Sequence, residues 1–321
     1  MRNFPLFLFR SSKWGERGRR RPGPRQELAA MNQLNMLIPK GRLQDSVSNL
    51  LAQVGVKFHY GARSYRPTCS DPEVTAKLLK PQNIASLVSL GRHDVGFVGH
   101  DWMVELGLDG PDSGLVEVMD LGFNPVRLVA AVPDHLVKDG QFRAPVPMVV
   151  ASEYERLTLR YLAQKGYDAV FVKTFGATEA LPPEDADMIV DNTSTGATLV
   201  SNRLEIVDEL LRSTTRFVAH TSVLQDAWKK DKLDRLVMLM RSTLDAERRV
   251  LLEMNVPADR LERLVAELPS MRSPTVSPLY AEQGFAVKVA VPSKDVPSLI
   301  PRLRELGATD ILEYRLQKIV P

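Results

Sequence analysis

The stretch of sequence that decides the fold runs from residue 187 to residue 199 and reads DMIVDNTSTGATL. Residues 188–190 form a short apolar run that is typical of the end of a buried strand. A turn rich in hydroxyl groups follows, with Gly196 near its end, and a helical pattern resumes at Leu199 and Leu204. The stretch therefore predicts a strand, a loop and a helix in direct succession.

A loop between a strand and a helix is suited to bind an anion. The first amides of the helix lack intrahelical acceptors, and the helix dipole adds partial positive charge. The hydroxyls of Thr195 and Thr198 can donate further hydrogen bonds, and Gly196 lets the backbone approach a ligand closely. Asp191, before the loop, suits the two hydroxyls of a ribose. Although such residues are also common in turns without a ligand, the combination predicts a site for a sugar 5′-phosphate.

Strands and helices alternate on both sides of this stretch. Short apolar runs predict strands, at residues 34–39, 95–99, 126–132, 148–151, 170–172, 204–207 and 216–219. Amphipathic runs between them predict helices, and two patterns, Ser152 with Glu155 and Ser222 with Gln225, resemble capping boxes at helix starts. This alternation favours an α/β fold with mostly parallel sheets that are covered on both faces.

Two charged turns follow predicted strands. Lys40, Gly41 and Arg42 come directly after the strand at 34–39, and Asp101 comes shortly after the strand at 95–99. Ligands of α/β sheets bind outside the carboxyl ends of the strands. We therefore expect Lys40 and Arg42 to meet phosphate groups across a cleft.

The predicted elements fall into three parts. Residues 31–122 and 204–245 form a first lobe, and residues 123–203 form a second lobe that carries the hydroxyl-rich loop. Two lobes joined by crossing strands enclose a cleft, which is the usual place for a ligand. In residues 246–321 the order changes to β-α-β-β-α-β, the split ferredoxin-like unit.

Composition narrows the class of protein. The chain has 321 residues, of which 44% are hydrophobic and 25% are charged, as in soluble globular proteins of two or three domains. No apolar run approaches the roughly 18 residues of a membrane span. Cys69 is the single cysteine, which excludes an intramolecular disulfide and favours a reducing cytoplasm.

The net charge of +3 comes from the first 30 residues, which carry eight Arg or Lys against two Glu. The rest of the chain is slightly acidic, so the charge gives no reason to expect nucleic-acid binding. We expect residues 1–30 to be a disordered basic tail, or the product of an upstream start codon with the true start at Met31 or Met36. Their layout does not fit a signal peptide, because the apolar part precedes the basic part.

Motifs along the chain resemble, in order and spacing, the long form of the ATP phosphoribosyltransferase family, which has a C-terminal regulatory domain. The matching segments are PKGRL at 39–43, Arg63 before SY at 64–65, DVGFVGHD at 94–101, DLGF at 120–123, RYLAQKG at 160–166, the stretch 187–199, SPTVSPL at 273–279 and KIVP at 318–321. The chain departs from the family pattern at residues 79–83, 177–178 and 192–193. These departures leave the hydroxyl-rich loop intact.

The resemblance implies a fold and a reaction. The fold is a two-lobed, periplasmic-binding-protein-like core with a ferredoxin-like C-terminal domain. In the reaction, N1 of ATP attacks C1 of phosphoribosyl pyrophosphate and releases pyrophosphate, the first step of histidine biosynthesis. Mg²⁺ is the natural partner of pyrophosphate, although no His, Cys or Asp cluster at metal-ligand spacing predicts a protein metal site. The resemblance also implies feedback inhibition by histidine and assembly into dimers and hexamers.

Residue roles are carried over from the resemblance and from the position of each residue. The residues expected to bind phosphoribosyl pyrophosphate are Asp191, Ser194, Thr195, Gly196, Ala197, Thr198, Gly176 and Glu179. Those expected to bind ATP are Lys40, Gly41, Arg42, Arg63 and Asp101. Lys40, Arg42 and Asp191 are the expected catalytic residues. Histidine is expected near Ser273, Pro274 and Thr275.

Two alternatives remain open at the level of the sequence. A two-lobed protein with a ferredoxin-like unit also suits a small-molecule sensor without catalysis, although two phosphate sites argue against a sensor of amino acids. A phosphoribosyltransferase that acts on a base other than ATP is the second alternative. Release of pyrophosphate with different bases separates all three.

Overall fold

The computed structural model describes residues 32–61, 64–269, 273–282 and 284–320. Arg63, which is expected to bind ATP, lies outside the described residues. So do the basic N-terminal segment at 1–30 and the candidate start Met31.

The described residues form three main sheets with helices packed on them, and two small two-stranded sheets. The strands, in chain order, are β1 (Leu34–Pro39), β2 (Phe58–His59), β3 (Thr68–Cys69), β4 (Val74–Leu79), β5 (Val95–Gly99), β6 (Leu115–Asp120), β7 (Val126–Pro133), β8 (Val137–Lys138), β9 (Gln141–Phe142), β10 (Met148–Ser152), β11 (Ala169–Lys173), β12 (Met188–Thr193), β13 (Leu204–Ser213), β14 (Thr215–His220), β15 (Arg249–Val256), β16 (Thr275–Pro278), β17 (Phe285–Pro292) and β18 (Thr309–Arg315). The α-helices, in chain order, are α1 (Gln44–Gln53), α2 (Pro81–Ser89), α3 (His100–Glu105), α4 (Glu155–Lys165), α5 (Ala197–Ser201), α6 (Ala227–Glu247), α7 (Leu261–Ala266) and α8 (Val296–Glu305).

The first sheet has the strand order β4-β1-β5-β14-β6. Strand β1 pairs in parallel with β4 and β5, whereas β14 returns antiparallel between β5 and β6. Phe97 and Phe217 are paired across β5 and β14, and their rings stack with centroids 4.7 Å apart. Aromatic pairs of this kind add to the burial of apolar surface, so the two rings anchor the core of this lobe.

The long helix α6 covers this sheet with Leu233, Leu236 and Met240. The helix begins after Asp226, whose carboxylate accepts a 3.0 Å hydrogen bond from the amide of Lys229. The predicted start at Ser222 is therefore wrong, because residues 221–224 form a separate 3-10 turn. No helix in the described part of the chain is both long and apolar enough to cross a membrane.

The second sheet has the order β11-β10-β12-β7-β13. Strand β12 extends through Asp191 to Thr193, so the prediction that the strand ends at 190 is wrong. The reason is a long-range pairing, because Asn192 and Thr193 pair with Leu128 and Arg127 of β7. The loop therefore begins three residues later than predicted.

Residues 204–213 belong to the second lobe, which corrects their predicted place in the first. Strand β13 pairs with β7 along its whole length, from Leu204 opposite Pro133 to Ser213 opposite Val126. The helical pattern that was expected to run on to Leu204 ends at Ser201, because α5 has only five residues.

Two short segments, residues 121–125 and Thr214, cross between the lobes. They are hydrogen-bonded side by side, because the amide of Thr215 donates to the carbonyl of Phe123 at 3.0 Å. The amide of His100 donates to the carbonyl of Thr214 at 3.1 Å, which fixes the crossing to the start of α3. Two α/β lobes joined in this way form the predicted periplasmic-binding-protein-like core, so this part of the fold prediction is confirmed.

A side chain of the first lobe caps helix α4 of the second. The carboxylate of Glu105 accepts hydrogen bonds from the amides of Arg156 and Leu157, both at 3.0 Å. The predicted capping box of Ser152 is wrong, because its hydroxyl donates instead to the carbonyl of Val190 at 2.6 Å. Two amides at the start of α4 thus find their acceptor in a carboxylate of the other lobe.

The C-terminal unit has the sheet order β16-β17-β15-β18, with antiparallel pairs throughout, as in the predicted ferredoxin-like unit. Helices α7 and α8 bury Leu264 and Leu303 against one face of the sheet. The last strand ends at Arg315, not at Ile319 as predicted. Instead, the ammonium group of Lys318 donates to the carbonyl of Gln53 and the amide of Ile319 to that of Ser242, both at 2.9 Å, so the C-terminal segment returns to the first lobe.

Candidate active site

A cavity of ≈ 340 Å³ lies between the two lobes. It is bounded by the turn after β1, by α3, by the start of α4, by β12 and by the crossing segments. The lining residues are Lys40, Arg42, Leu43, Pro81, Gly99, Asp101, Trp102, Asn124, Val126, Tyr154, Asn192, Ser213, Thr214 and Thr215. Three residues predicted to bind ATP, Lys40, Arg42 and Asp101, therefore lie in one cavity.

The turn after β1 presents the two cations. Gly41 has a φ of +93°, which a residue with a side chain rarely adopts, and its carbonyl accepts a 2.9 Å hydrogen bond from the amide of Gln44. The ammonium group of Lys40 lies 4.9 Å from the centre of the Tyr65 ring. Within the described chain, neither Lys40 nor Arg42 pairs with a carboxylate, so both charges are available to an anion.

Asp101 is only 5% exposed, and both of its carboxylate oxygens have partners. The hydroxyl of Ser213 donates to Oδ1 and the hydroxyl of Tyr154 donates to Oδ2, each at 2.6 Å. Burial, followed by the charge of Asp101, raises the pKa of Tyr154 well above its usual range, so this hydroxyl keeps its proton. Asp101 therefore lies in the cavity wall, where both of its carboxylate oxygens accept hydrogen bonds from other side chains of the protein.

Asn192 completes this hydrogen-bonded group. Its amide nitrogen donates to the hydroxyl of Tyr154 at 2.9 Å. The ring of Tyr154 stacks on Trp102 with centroids 4.7 Å apart, which holds the hydroxyl in place from the other side. Residues of α3, α4 and β12 therefore form one rigid wall of the cavity.

Asp191 precedes Asn192 on β12 and is partly buried. Burial raises its pKa from the usual 3.8 to about 6, an effect opposed by the amide of Asn192, which donates to Oδ1 at 2.7 Å. The charges of Glu179 and Glu153 raise the pKa further. The negative charges of Glu179 and Glu153 therefore act on Asp191, which is a local excess of negative charge.

The hydroxyl-rich loop is exposed at Ser194, Thr195, Ala197 and Thr198. Gly196 has a φ of +85°, and its amide donates to the hydroxyl of Thr193 at 2.9 Å. Among the residues that the structure describes, the amides of Thr195 and Thr198 have no acceptor. These two amides and the neighbouring hydroxyls can therefore bind an anion, as predicted for a phosphate.

The loop does not line the same cavity as the cations. Ser194 lines a second cavity of ≈ 510 Å³ together with Arg127, Arg212 and Arg216. The two cavities share Val126, Ser213 and Thr214, so they meet at the crossing segments. The arginines are partly neutralised, Arg127 and Arg212 by Glu209 and Arg216 by Asp120 and Glu117.

The remaining predicted site residues lie in two other places. Gly176, with a φ of +112°, and Glu179 lie in the loop after β11, where the hydroxyls of Thr174 and Thr178 are 2.9 Å apart. Ser273, Pro274 and Thr275 lie at the start of the edge strand β16 of the C-terminal unit. The lining of the interlobe cavity includes none of these three residues.

The sequence interpretation missed several residues of the cavity wall. Tyr154, Asn192 and Ser213 contribute the hydrogen-bonded group around Asp101. The run of hydroxyl residues at 213–215 between two predicted strands is a signal that could have indicated the crossing segment. No local pattern marks Tyr154, because its partners are 53 and 38 positions away.

The fold and the site define a class, a two-lobed α/β protein whose cleft suits an anionic ligand. Residues 80–242 match the family model described as ATP phosphoribosyltransferase, and residues 246–318 match the model described as HisG, C-terminal domain. The chain therefore belongs to the ATP phosphoribosyltransferase family in its long form, a family of pentosyltransferases, as the resemblance predicted.

Individual relatives agree with this assignment. A protein of Pelodictyon phaeoclathratiforme named ATP phosphoribosyltransferase is 39% identical over 296 residues, which are 89% of this chain and 97% of that protein. One of Thermodesulfovibrio yellowstonii with the same name is 38% identical over 292 residues, 90% of this chain and 98% of its own length. The solved ATP phosphoribosyl transferase (HisG:HisZ) complex from Thermotoga maritima contains a chain with a TM-score of 0.55 and 27% identity, covering 65% of this chain and 99% of that one.

Proposed function

We propose that the chain transfers the phosphoribosyl group of phosphoribosyl pyrophosphate to N1 of ATP and releases pyrophosphate, the first step of histidine biosynthesis. Family membership supports the reaction. The observation that carries the proposal is the cleft between the lobes, which brings Lys40 and Arg42 on one side opposite β12 on the other.

The reaction is a displacement at C1 of the ribose, and it needs no covalent nucleophile. It needs the two substrates in line, stabilisation of an oxocarbenium-like ribose, and neutralisation of the departing pyrophosphate. Asp191 binds the two ribose hydroxyls through its carboxylate, which offers an unprotonated acceptor oxygen to each hydroxyl only when it is ionised. This role therefore requires the ionised form of Asp191.

The 5′-phosphate of the donor binds to the loop from Ser194 to Thr198. The exposed hydroxyls and the two amides without acceptors support this assignment. Gly176 and Glu179 border the donor from the loop after β11. The loop holds one end of the donor while Asp191 holds the ribose.

Lys40 and Arg42 neutralise phosphate groups across the cleft and act on the departing pyrophosphate. Their charges have no carboxylate partner among the described residues, which supports this role. The backbone at Gly41 lets the turn come close to the phosphates, and Asp101 shapes the wall of the ATP site. Arg63 contributes to the same site by its place in the family motif.

Mg²⁺ is the proposed cofactor. No three His, Cys, Asp or Glu side chains in the described ranges are placed to share a metal ion, which suits an ion held mainly by pyrophosphate oxygens. Asp191 and Glu179 are the residues that would hold it, because a cation relieves the repulsion that raises the pKa of Asp191. When bound, Mg²⁺ offsets the negative charge of the departing pyrophosphate.

The C-terminal unit gives the enzyme feedback inhibition by histidine, bound near Ser273, Pro274 and Thr275. Dimers and hexamers are the proposed assemblies, and the cytoplasm is the proposed compartment. Deletion of the residues after about 245 removes the inhibition if this assignment is right. A truncated enzyme that folds and is inhibited as before would contradict it.

The reaction is tested by measuring pyrophosphate release from phosphoribosyl pyrophosphate with ATP and with other purine and pyrimidine substrates, with and without histidine. We expect release with ATP, inhibition by histidine, and loss of turnover or a raised KM for the sugar donor in Asp191→Ala. Release with a different base alone would identify another phosphoribosyltransferase. Binding without release would favour a sensor.

A further inference from the structure

Asn192 ends a chain of hydrogen bonds whose direction is fixed at its buried end. The carboxylate of Asp101 can only accept hydrogen bonds. Its Oδ1 accepts the proton of Ser213, whose oxygen in turn accepts from the amide of Asp101 at 3.0 Å. Its Oδ2 is therefore the remaining acceptor for the hydroxyl of Tyr154.

The direction continues from Tyr154 to Asn192. A phenol has one proton, and that of Tyr154 is donated to Asp101, so towards Asn192 the hydroxyl oxygen can only accept. The side-chain nitrogen of Asn192 must therefore face Tyr154, as the 2.9 Å contact has it. This fixes the amide orientation, and Oδ1 is left as an acceptor without a partner among the described residues.

The free oxygen belongs to a residue that lines the cavity assigned to ATP. Asn192 lines the interlobe cavity together with Lys40 and Arg42. Successive side chains of a strand point to opposite faces, so Asn192 faces Tyr154 and this cavity while Asp191, the preceding residue of β12, points to the other face. With the phosphates of ATP at Lys40 and Arg42, the base of ATP can extend across the cavity to Asn192.

We propose that Oδ1 of Asn192 accepts a hydrogen bond from the exocyclic 6-amino group of adenine and so contributes, in this chain, to the preference for 6-aminopurines. This rests on the proposed function, in which N1 is the attacking atom, because the 6-amino group is bonded to the carbon next to N1. A 6-oxopurine would place an acceptor against this acceptor, and its N1 carries a proton. Tyr154, Asp101 and Ser213 are positioning residues that hold the amide in this orientation.

The inference is tested with two nucleotides that share N1 but differ at C6, ATP and purine riboside 5′-triphosphate. We expect the full-length wild-type enzyme to prefer ATP in kcat/KM by on the order of tenfold or more, because the analogue covers the Oδ1 acceptor without offering it a hydrogen bond. In Asn192→Leu the ratio should fall by on the order of tenfold, with the loss on ATP alone. Dissociation constants of the two nucleotides, measured without the sugar donor, should change in the same way.

A merely structural role of Asn192 would lower activity with both nucleotides and leave their ratio unchanged, and that result would overturn the inference. Asn255→Leu, in β15 of the C-terminal unit, is the matched control and should keep the wild-type ratio. If Asn192→Leu does not fold, Asn192→Ala removes the same oxygen without added bulk. The proposed function is tested separately, because a wild-type enzyme that releases no pyrophosphate from ATP refutes the reaction whatever the Asn192 variants bind.

Discussion

The hydroxyl of Tyr154 lies 2.6 Å from a carboxylate oxygen of Asp101 and joins the second lobe to the first beside the cleft. A second link lies one helical turn away, where Glu105 caps helix α4. Both links start on α3 and both reach the start of α4. The lobes are therefore held together at this edge of the cleft by buried polar contacts in addition to the two crossing segments.

Asp101→Asn should lower the free energy of unfolding by about 1–3 kcal/mol. An amide offers one acceptor oxygen where the carboxylate offers two, so its NH₂ group must face either the Ser213 or the Tyr154 hydroxyl, both of which donate to Asp101. Urea denaturation is the measurement. Asp109→Asn, in an exposed turn of the same lobe, is the control, and equal midpoints for the two variants would refute the prediction.

Asp191→Asn should stabilise the unliganded protein at pH 7 by roughly 1–3 kcal/mol while it abolishes or impairs turnover. Folding raises the pKa of Asp191 from 3.8 to about 6, so the native state takes up a proton between those pH values. The stability contributed by this group is full below about pH 4 and is lost as the pH rises through about 6. An asparagine resembles the protonated form at every pH.

Thermal unfolding of Asp191→Asn and wild type between pH 4 and pH 8 checks this sign. The two curves should converge near pH 4 and separate as the pH rises. Glu205→Gln removes an exposed carboxylate from β13 and should follow the wild type throughout. A stability gain of Asp191→Asn that is largest at low pH would contradict the prediction, because it would show that folding does not destabilise the ionised carboxylate.

The pH dependence of kcat/KM should show the pKa of Asp191 as well. Because Asp191 must be ionised to hold the ribose, kcat/KM for the sugar donor should decline by about tenfold per pH unit below about pH 6. Steady-state kinetics between pH 5 and pH 8 in buffers of constant ionic strength measure the profile. A profile without an acid limb down to pH 5 would contradict a pKa of about 6 for Asp191 in the enzyme that binds the donor.

Gly41→Ala and Gly55→Ala make a matched pair. The two glycines have φ values of +93° and +92°, and an added Cβ would meet nothing within 4 Å at either. Each substitution should therefore cost about 1 kcal/mol of backbone strain. Only Gly41→Ala should also raise the KM for ATP, by about tenfold, because it displaces the turn that carries the cations. Equal KM values for ATP in the two variants would contradict the assignment of this turn to the nucleotide site.

The order of strands and helices could be predicted because apolar periodicity is a local property of the sequence. The runs at Leu34–Pro39 and Val95–Gly99 are buried on both faces and are bounded by polar turns, so their ends were clear. The extension of β12 to Thr193 and the lobe of β13 were not predictable in this way. Both depend on pairing with β7, which lies about 60 to 90 residues earlier in the chain.

The same distinction applies to the candidate site. Lys40, Arg42 and Asp191 could be chosen as candidates because charged residues at strand ends and beside a small-residue loop are a local pattern, and the structure places the first two in the interlobe cavity. The wall around Asp101 could not, because it joins residues that are 38 to 112 positions apart. Such contacts follow from how two lobes are set against each other, and no short segment encodes that placement.

Helix α1 links the C-terminal segment to the substrate side of the first lobe. Lys318 is bonded to the carbonyl of Gln53 at one end of this helix, and the helix starts just after Arg42 at the other. A ten-residue helix is about 15 Å long and is stiff along its axis. A rotation of the C-terminal unit that displaces Lys318 must therefore either break that bond or shift the helix along its axis, and the second outcome moves the Lys40 and Arg42 turn and so changes one wall of the cleft.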